Sequence, residues 1–228
     1  LRGARAGPHA TARLGGALAR GCLSARRLAA RVMAISAGSD RKFGSHFLYE
    51  LRWRDYFRAV ACARGPEYFA IDDGEETAAW RSGELGVPLI DAAVRELIAT
   101  GFLGNLAREL VASFATAELG VGWRAGARFF AGLLLDHDPH TNAGQWRRAA
   151  EATGDAKARR VGDGRYLEIA LALPREEASR YVARWVPELS ALSGAAVLVP
   201  WRFEAECARV ARYPRPPDCE TVRRLGRW

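Results

Sequence analysis

The densest chemistry in this chain lies between residues 105 and 146. Two carboxylates, an amide and an indole stand within eleven residues of one another: Asp136, Asp138, Asn142 and Trp146. Asn105 and Arg108 precede them, three residues apart, so on a helix they face the same side. Trp123 lies between the two groups. Residue type alone leaves plain structural roles open. Asp136 and Asp138 suit a solvated helix end, Asn142 suits a helix cap, and Trp123 and Trp146 suit a core. An arginine facing a nearby carboxylate is also the usual way to keep a partly buried charge paired.

The composition narrows the partners. The chain has 228 residues, 49% of them hydrophobic, which is enough for a sizeable core. Its net charge is +8, and of the 34 basic residues only Lys42 and Lys157 are lysines. Arginine forks favour phosphate oxygens, and neutralising a nucleic-acid backbone releases condensed counterions. A coding bias toward Arg, Ala and Gly gives the same excess, so charge by itself names no ligand. The four cysteines, Cys22, Cys62, Cys207 and Cys219, form no CxxC pair and have no histidine cluster beside them. That argues against zinc and against a disulfide framework. No P-loop and no GxGxxG following a strand is present.

Helical spacing must position these residues. Leu89, Ile90, Ala93, Val94, Leu97 and Ile98 recur at helical intervals, with Asp91, Arg95 and Glu96 falling between them. Leu110, Val111, Phe114 and Ala115 repeat the pattern, as do Phe129, Phe130, Leu133 and Leu134. Phe47, Leu51, Trp53 and Phe57 form another amphipathic stretch. Glycine breaks at 83–86, 101–104 and 120–122 separate the segments. Strand-like alternation is confined to residues 197–199. Residues 65–74 and 154–165 read as turns or surface loops, and the proline-rich stretch 213–217 cannot continue a helix. The expected fold class is mostly α.

Several of these stretches together resemble the photolyase/cryptochrome family. The run WRSGELGVPLIDAAVRELIATGFLGNLARELVASF from Trp80, followed by GWRAGARFFAGLLLDHDPHTNAGQW, is similar to that family's flavin-binding domain. FLYELRWRDYFR (47–58), TARLGGALARGCLSARR (11–27), RYVARWVPEL (180–189) and Pro200-Trp201 are similar to further elements of it. The resemblance covers about residues 10–217 and looks closest to the cryptochrome-DASH branch. It implies a partial helical FAD-binding domain over 1–228 without the family's N-terminal α/β antenna domain, and irregular ends at 1–9 and 218–228. Residues 1–39 hold seven arginines and no acidic residue, the composition of an organellar transit peptide. The match over 11–27 gives part of that stretch a structural reading instead. Opening at Leu1, with Met33 the only methionine, is the pattern of an incomplete N-terminus.

The resemblance also implies roles. Asn142 takes the position facing flavin N5. Arg108 and Asp136 take the ion pair beside the ring, with Asp138 near the pyrimidine edge and Asn105 on the same wall. Trp146 and Trp123 take the inner and middle places of the tryptophan chain that reduces light-excited flavin. For the outer place the sequence offers Tyr68 and Phe69. Thr11 and Leu14 remain in the phosphate-cradling loop, where Ala12 and Gly15 replace hydroxyl residues. Phe47 and Arg54 complete the implied FAD contacts. Glu50 and Trp53 match residues that touch a pyrimidine dimer, Trp53 by stacking on a flipped base. The second lesion-facing aromatic is replaced by Arg148, and a DNA-contacting arginine by Leu106. The implied cofactor is FAD and the implied partner is single-stranded or lesion-containing DNA. Three functions follow: a photolyase that splits cyclobutane pyrimidine dimers, a non-catalytic cryptochrome photoreceptor, and a DNA-binding remnant without cofactor.

Overall fold

The computed structural model describes residues 12–36, 41–69, 78–154, 165–203 and 213–225. The order is α1 (Gly15–Ala19), α2 (Ala25–Ser36), α3 (Arg41–Arg64), a 3-10 turn (Gly65–Phe69), α4 (Ala78–Ser82), α5 (Pro88–Thr100), α6 (Asn105–Ala117), α7 (Trp123–Leu133) and α8 (Pro139–Gly154). It continues with α9 (Arg165–Ala172), α10 (Arg175–Trp185), α11 (Ala195–Leu198) and α12 (Glu220–Leu225), with 3-10 turns at Pro187–Leu189 and Pro200–Arg202. No strand occurs among the described residues. No helix among them is long and apolar enough to cross a membrane, and no group of His, Cys, Asp and Glu could hold a metal.

α5 and α6 are the central helices. α5 packs on α10, α6 on α8 and α9, and α8 in turn on α7 and α3, while α2 covers α3. One large core runs from Trp80 to Leu225 and includes Ile90, Leu97, Val111, Phe114, Trp146 and Tyr166. A small second cluster, Ala61, Tyr68 and Ala143, sits between α3 and α8, with Val60 and Trp123 against it.

Two glycines set corners that matter for the site. Gly101 ends α5 with φ +65°, and its N–H bonds to the carbonyl of Leu97 at 2.8 Å. Its own carbonyl accepts the N–H of Leu135, also at 2.8 Å. A Cβ at Gly101 would lie 2.7 Å from Leu135 Cγ, so only glycine lets the end of α7 close on this corner. Gly86 has φ +87° and lies beneath the backbone of Arg215 and Pro216, where the proline-rich stretch crosses the α4–α5 turn.

The strand-like reading of 197–199 and the irregular reading of 218–228 are both corrected, and two carboxylates, Asp91 and Glu96, are buried in the core. Asp91 accepts the N–H groups of Leu85 and Gly86, both at 2.8 Å, and the hydroxyl of Tyr213. Glu96 accepts the hydroxyl of Tyr181 at 2.6 Å. Both carboxylates are therefore satisfied inside the core, which helical spacing cannot foresee. Residues 197–199 belong to no strand: α11 takes residues up to Leu198, and Val199 caps it. The stretch 218–228 contains α12, held where Glu118 accepts the Thr221 hydroxyl.

Asp91 fixes the turn on which α5 starts. Burial raises its pKa, opposed by the bonds from Tyr213, Leu85 and Gly86 and by Arg95. Replacement of Asp91 by Ala strands three buried donors and is expected to cost about 3 kcal/mol, read as a lower urea midpoint, with Asp91→Asn costing less.

Candidate flavin site

α6, α7 and α8 supply the inner wall. Arg108, one turn into α6, donates from Nη2 to both oxygens of Asp136 at 2.8 Å and from Nε to the carbonyl of Leu103 at 2.7 Å. The pair is half-buried, with side chains 28% and 14% exposed, not fully buried. Asn105 opens α6 and is exposed. Across the pair lies α1: a Cβ on Gly15 would sit 2.5 Å from Asp136 Oδ2, and Arg20 donates to the carbonyl of Leu135 at 3.2 Å. The missing hydroxyl at Gly15 thus has a steric reason, because a larger residue would push α1 off the ion pair. Leu14 sits at the N-cap of α1, whereas Thr11 lies outside the described residues. Arg54 of α3 donates to the carbonyl of Leu18, also in α1, at 3.4 Å. Phe47, two turns earlier on α3, is partly buried.

Asp138 is the N-cap of α8. Its Oδ1 accepts the Thr141 N–H at 3.0 Å, and Pro139 fills the first helical position, where no N–H is needed. The same carboxylate pairs with Arg58 of α3 at 3.3 Å and lies 3.4 Å from His140 Nδ1. One turn on, Asn142 donates from Nδ2 to the carbonyl of Ala127 in α7 at 2.8 Å. That bond uses the donor end of the amide and leaves Oδ1 as its acceptor. Trp146 follows at the next turn, 2% exposed. Its ring lies over Gly126, where any Cβ would overlap it, and meets Phe130 edge-on at 5.0 Å and Trp80 at 6.2 Å. The Trp146 Nε1 is buried and unpartnered among the described residues.

Trp123 starts α7 and is only partly buried. Two guanidinium groups lie over it, Arg124 at 4.6 Å and Arg147 at 4.8 Å, and Arg147 also lies 5.3 Å over Tyr68. Tyr68 is buried, and its hydroxyl donates to the carbonyl of His140 at 3.0 Å. Burial pushes the Tyr68 pKa up to about 12, against the influence of Arg64. Phe69 packs on Tyr68 and His140.

Glu50 and Trp53 do not share the inner wall's burial. Glu50 is exposed and 4.0 Å from His46. Trp53 stacks on Phe57 at 5.5 Å, and Arg148 lies 5.0 Å over its ring. Arg148 is held loosely, 3.9 Å from Glu109. Sequence reasoning missed Arg58 and the His140 carbonyl, whose partners Asp138 and Tyr68 lie 80 and 72 residues away; Arg147 was legible only as charge near the site, not as a group over Trp123 and Tyr68. A groove of about 650 Å³ beside Ser82, Arg95, Glu188 and Pro214 includes none of these residues.

The fold and this wall define a helical FAD-binding domain. The model for the FAD binding domain of DNA photolyase matches residues 47–223. The cryptochrome DASH of Gloeobacter violaceus is 37% identical over 198 residues, 82% of this chain and 39% of the relative. The deoxyribodipyrimidine photo-lyase of Salmonella typhimurium is 33% identical over 231 residues, 90% of this chain and 46% of the relative. Among solved structures, a Synechocystis cryptochrome aligns with TM-score 0.74 at 32% identity, over 94% of this chain and 48% of that one. An archaeal photolyase from Sulfolobus tokodaii with two FAD molecules aligns with TM-score 0.73 at 28% identity, over 97% and 51%. The chain belongs to the photolyase/cryptochrome family. It spans less than half the length of these two curated relatives.

Burial disfavours the charge on Asp138, but the Thr141 N–H, Arg58 and His140 outweigh it, so its pKa is lowered from the usual 3.8. A lowered folded-state pKa stabilises the fold above the unfolded value, and that contribution is lost as pH falls through the folded value. The variant Asp138→Asn keeps the cap acceptor and removes the charge. It is expected to cost about 1 kcal/mol at neutral pH, and its urea midpoint should approach that of the parent as pH drops below the ordinary carboxylate range.

Proposed function

We propose that this chain holds FAD against the wall formed by Arg108, Asp136, Asp138, Asn142 and Trp146, as part of a blue-light flavoprotein that acts on DNA. The observation that carries the reading is the Arg108–Asp136 pair beneath α1, with the Asn142 amide fixed by Ala127. The donor set suits a flavin: a half-buried cation and carboxylate, a side-chain carbonyl oxygen with its amide end already engaged, and a buried indole N–H without a described partner. FAD, when bound, supplies light absorption and one-electron chemistry.

The protein's own groups have separable tasks in this reading. Arg108 holds Asp136 in one rotamer, and Asp136 lies against Gly15 in the α1 segment that would meet phosphate. Asn142 presents its Oδ1 as an acceptor for a flavin N–H, and Asn105 and Asp138 flank the ring. Phe47, Arg54, Leu14 and Thr11 complete the cofactor contacts. Trp146 and Trp123 are oxidisable rings at the wall and at the surface. On DNA, Glu50 and Trp53 are the residues for a pyrimidine lesion, and the activity is the splitting of cyclobutane dimers by light-driven electron donation. The Arg148 guanidinium over the Trp53 ring favours a second reading, a photoreceptor that binds flavin and repairs nothing, because a dimer must displace Arg148 to stack there.

The test begins with FAD reconstitution. The chain is expected to retain flavin through gel filtration, with its near-ultraviolet and blue absorption bands, and Asp136→Ala to weaken retention roughly tenfold. No retained flavin contradicts the proposal and leaves a DNA-binding remnant. Illumination of the loaded protein with an oligonucleotide bearing one cyclobutane dimer then separates the readings: dimer loss only in light identifies repair, and retained flavin with intact dimers identifies the photoreceptor.

A further inference from the structure

Two positive charges stand over the Trp123 ring, and the flavin wall uses neither. Arg124 lies 4.6 Å from the ring centre and Arg147 4.8 Å. Arg147 also stands 5.3 Å over Tyr68, so one guanidinium serves two rings. No carboxylate pairs with Arg147 among the described residues. Trp123 lies one turn before Gly126, the residue against which the Trp146 ring packs, and Arg147 directly follows Trp146 in α8. The α7–α8 contact therefore leads outward from Trp146, 2% exposed, to Trp123, which is only partly buried, with the Arg147 cation over it.

Charge decides what Trp123 can do there. A guanidinium over an indole face is attracted to the electron cloud of the neutral ring. Removing one electron from the ring turns that attraction into repulsion between two positive charges, at a site that water screens only in part. The neutral ring is stabilised and the oxidised ring destabilised, so Trp123 is harder to oxidise than an indole with no cation over it. Tyr68 gives no easier exit. Oxidising a phenol releases its proton, and the Tyr68 hydroxyl donates to the His140 carbonyl, which is too weak a base to take that proton.

We infer that Arg147, with Arg124, restrains electron donation by Trp123 and so limits how much light-driven charge separation persists in this chain. The inference rests on the reading above of Trp146 and Trp123 as oxidisable rings beside bound flavin. In that reading light-excited FAD gains one electron from Trp146, and Trp123 gives one electron to the oxidised Trp146. Trp123 then sheds its indole proton to water, so one electron reaches the flavin and one proton reaches solvent. The cations act on the second transfer. They keep the positive charge on Trp146 for longer, where the electron returns to it from the flavin. Arg147 works through Trp123 and is a tuning residue, not a catalytic one.

Two measurements test it, one with flavin and one without. In the FAD-loaded chain, laser-flash absorption follows the long-lived tryptophan radical. Arg147→Gln is expected to raise its yield about threefold to tenfold, and Trp123→Phe in the same background to abolish the gain. Arg147→Lys keeps the charge and is expected to hold the parent yield. In the flavin-free chain labelled with 5-fluorotryptophan, fluorine NMR reads the contact itself. Arg147→Gln is expected to shift the line that Trp123→Phe removes and to leave the other tryptophan lines in place, which also shows that the variant folds. An unchanged radical yield in Arg147→Gln, or an Arg147→Lys that behaves like it, overturns the tuning while the flavin reading stands. An unmoved Trp123 line overturns the contact on which the tuning depends. A parent that retains no flavin overturns the flavin reading, and this inference with it.

Discussion

No side chain beyond hydrogen can stand at position 126. The Trp146 ring fills the space a Cβ at Gly126 would need, and this contact sets how closely α7 and α8 approach. The rest of the wall depends on that closeness. It brings the Asn142 amide to the Ala127 carbonyl, buries Trp146 against Phe130 and Trp80, and puts Arg147 within reach of Trp123. Dense packing makes such an approach close to all-or-none, since a core of this kind has no slack for an added methyl group.

A second layer of constraint is electrostatic. Asp136 and Asp138 are two residues apart and serve different ends. Asp136 receives Arg108 and lies against Gly15 of α1, and Asp138 caps α8 and receives Arg58 from α3. Asp138 thus ties α3 to the α6–α8 wall, whereas Asp136 leaves room only for glycine where α1 approaches it. The charges are paired and partly solvated, which keeps the cost of burying them low while fixing the side chains. The outer rim differs: Trp123 and Trp53 each carry arginine over their rings, so positive charge gathers where aromatic surface meets solvent. The same groups that make the rim attractive to phosphate also disfavour a positive charge on those rings.

Much of this was legible in the sequence, for reasons that vary by residue. The helices α5, α6 and α7 follow from apolar spacing, and their ends from the glycine breaks. The family and its FAD-binding domain follow from motif residues at fixed intervals between Asn105 and Trp146. Local pattern could not show that Asp91 and Glu96 are core residues, because their partners Tyr213 and Tyr181 lie 122 and 85 residues away. Residues 197–199 misled by β-branched composition: a four-residue helix buried on its apolar side satisfies Val197 as well as a strand would. Arg148 was visible as a substitution, but its position over Trp53 depends on how α8 lies across α3.

The wall of α6, α7 and α8 is the proposed seat of the flavin. A crystal structure of the chain grown with FAD tests it most directly. The isoalloxazine is expected within hydrogen-bond distance of Asn142 Oδ1 and beside the Arg108–Asp136 pair, with the phosphates toward α1. Flavin density in the groove beside Arg95 and Glu188, or a ring out of reach of Asn142, would contradict it.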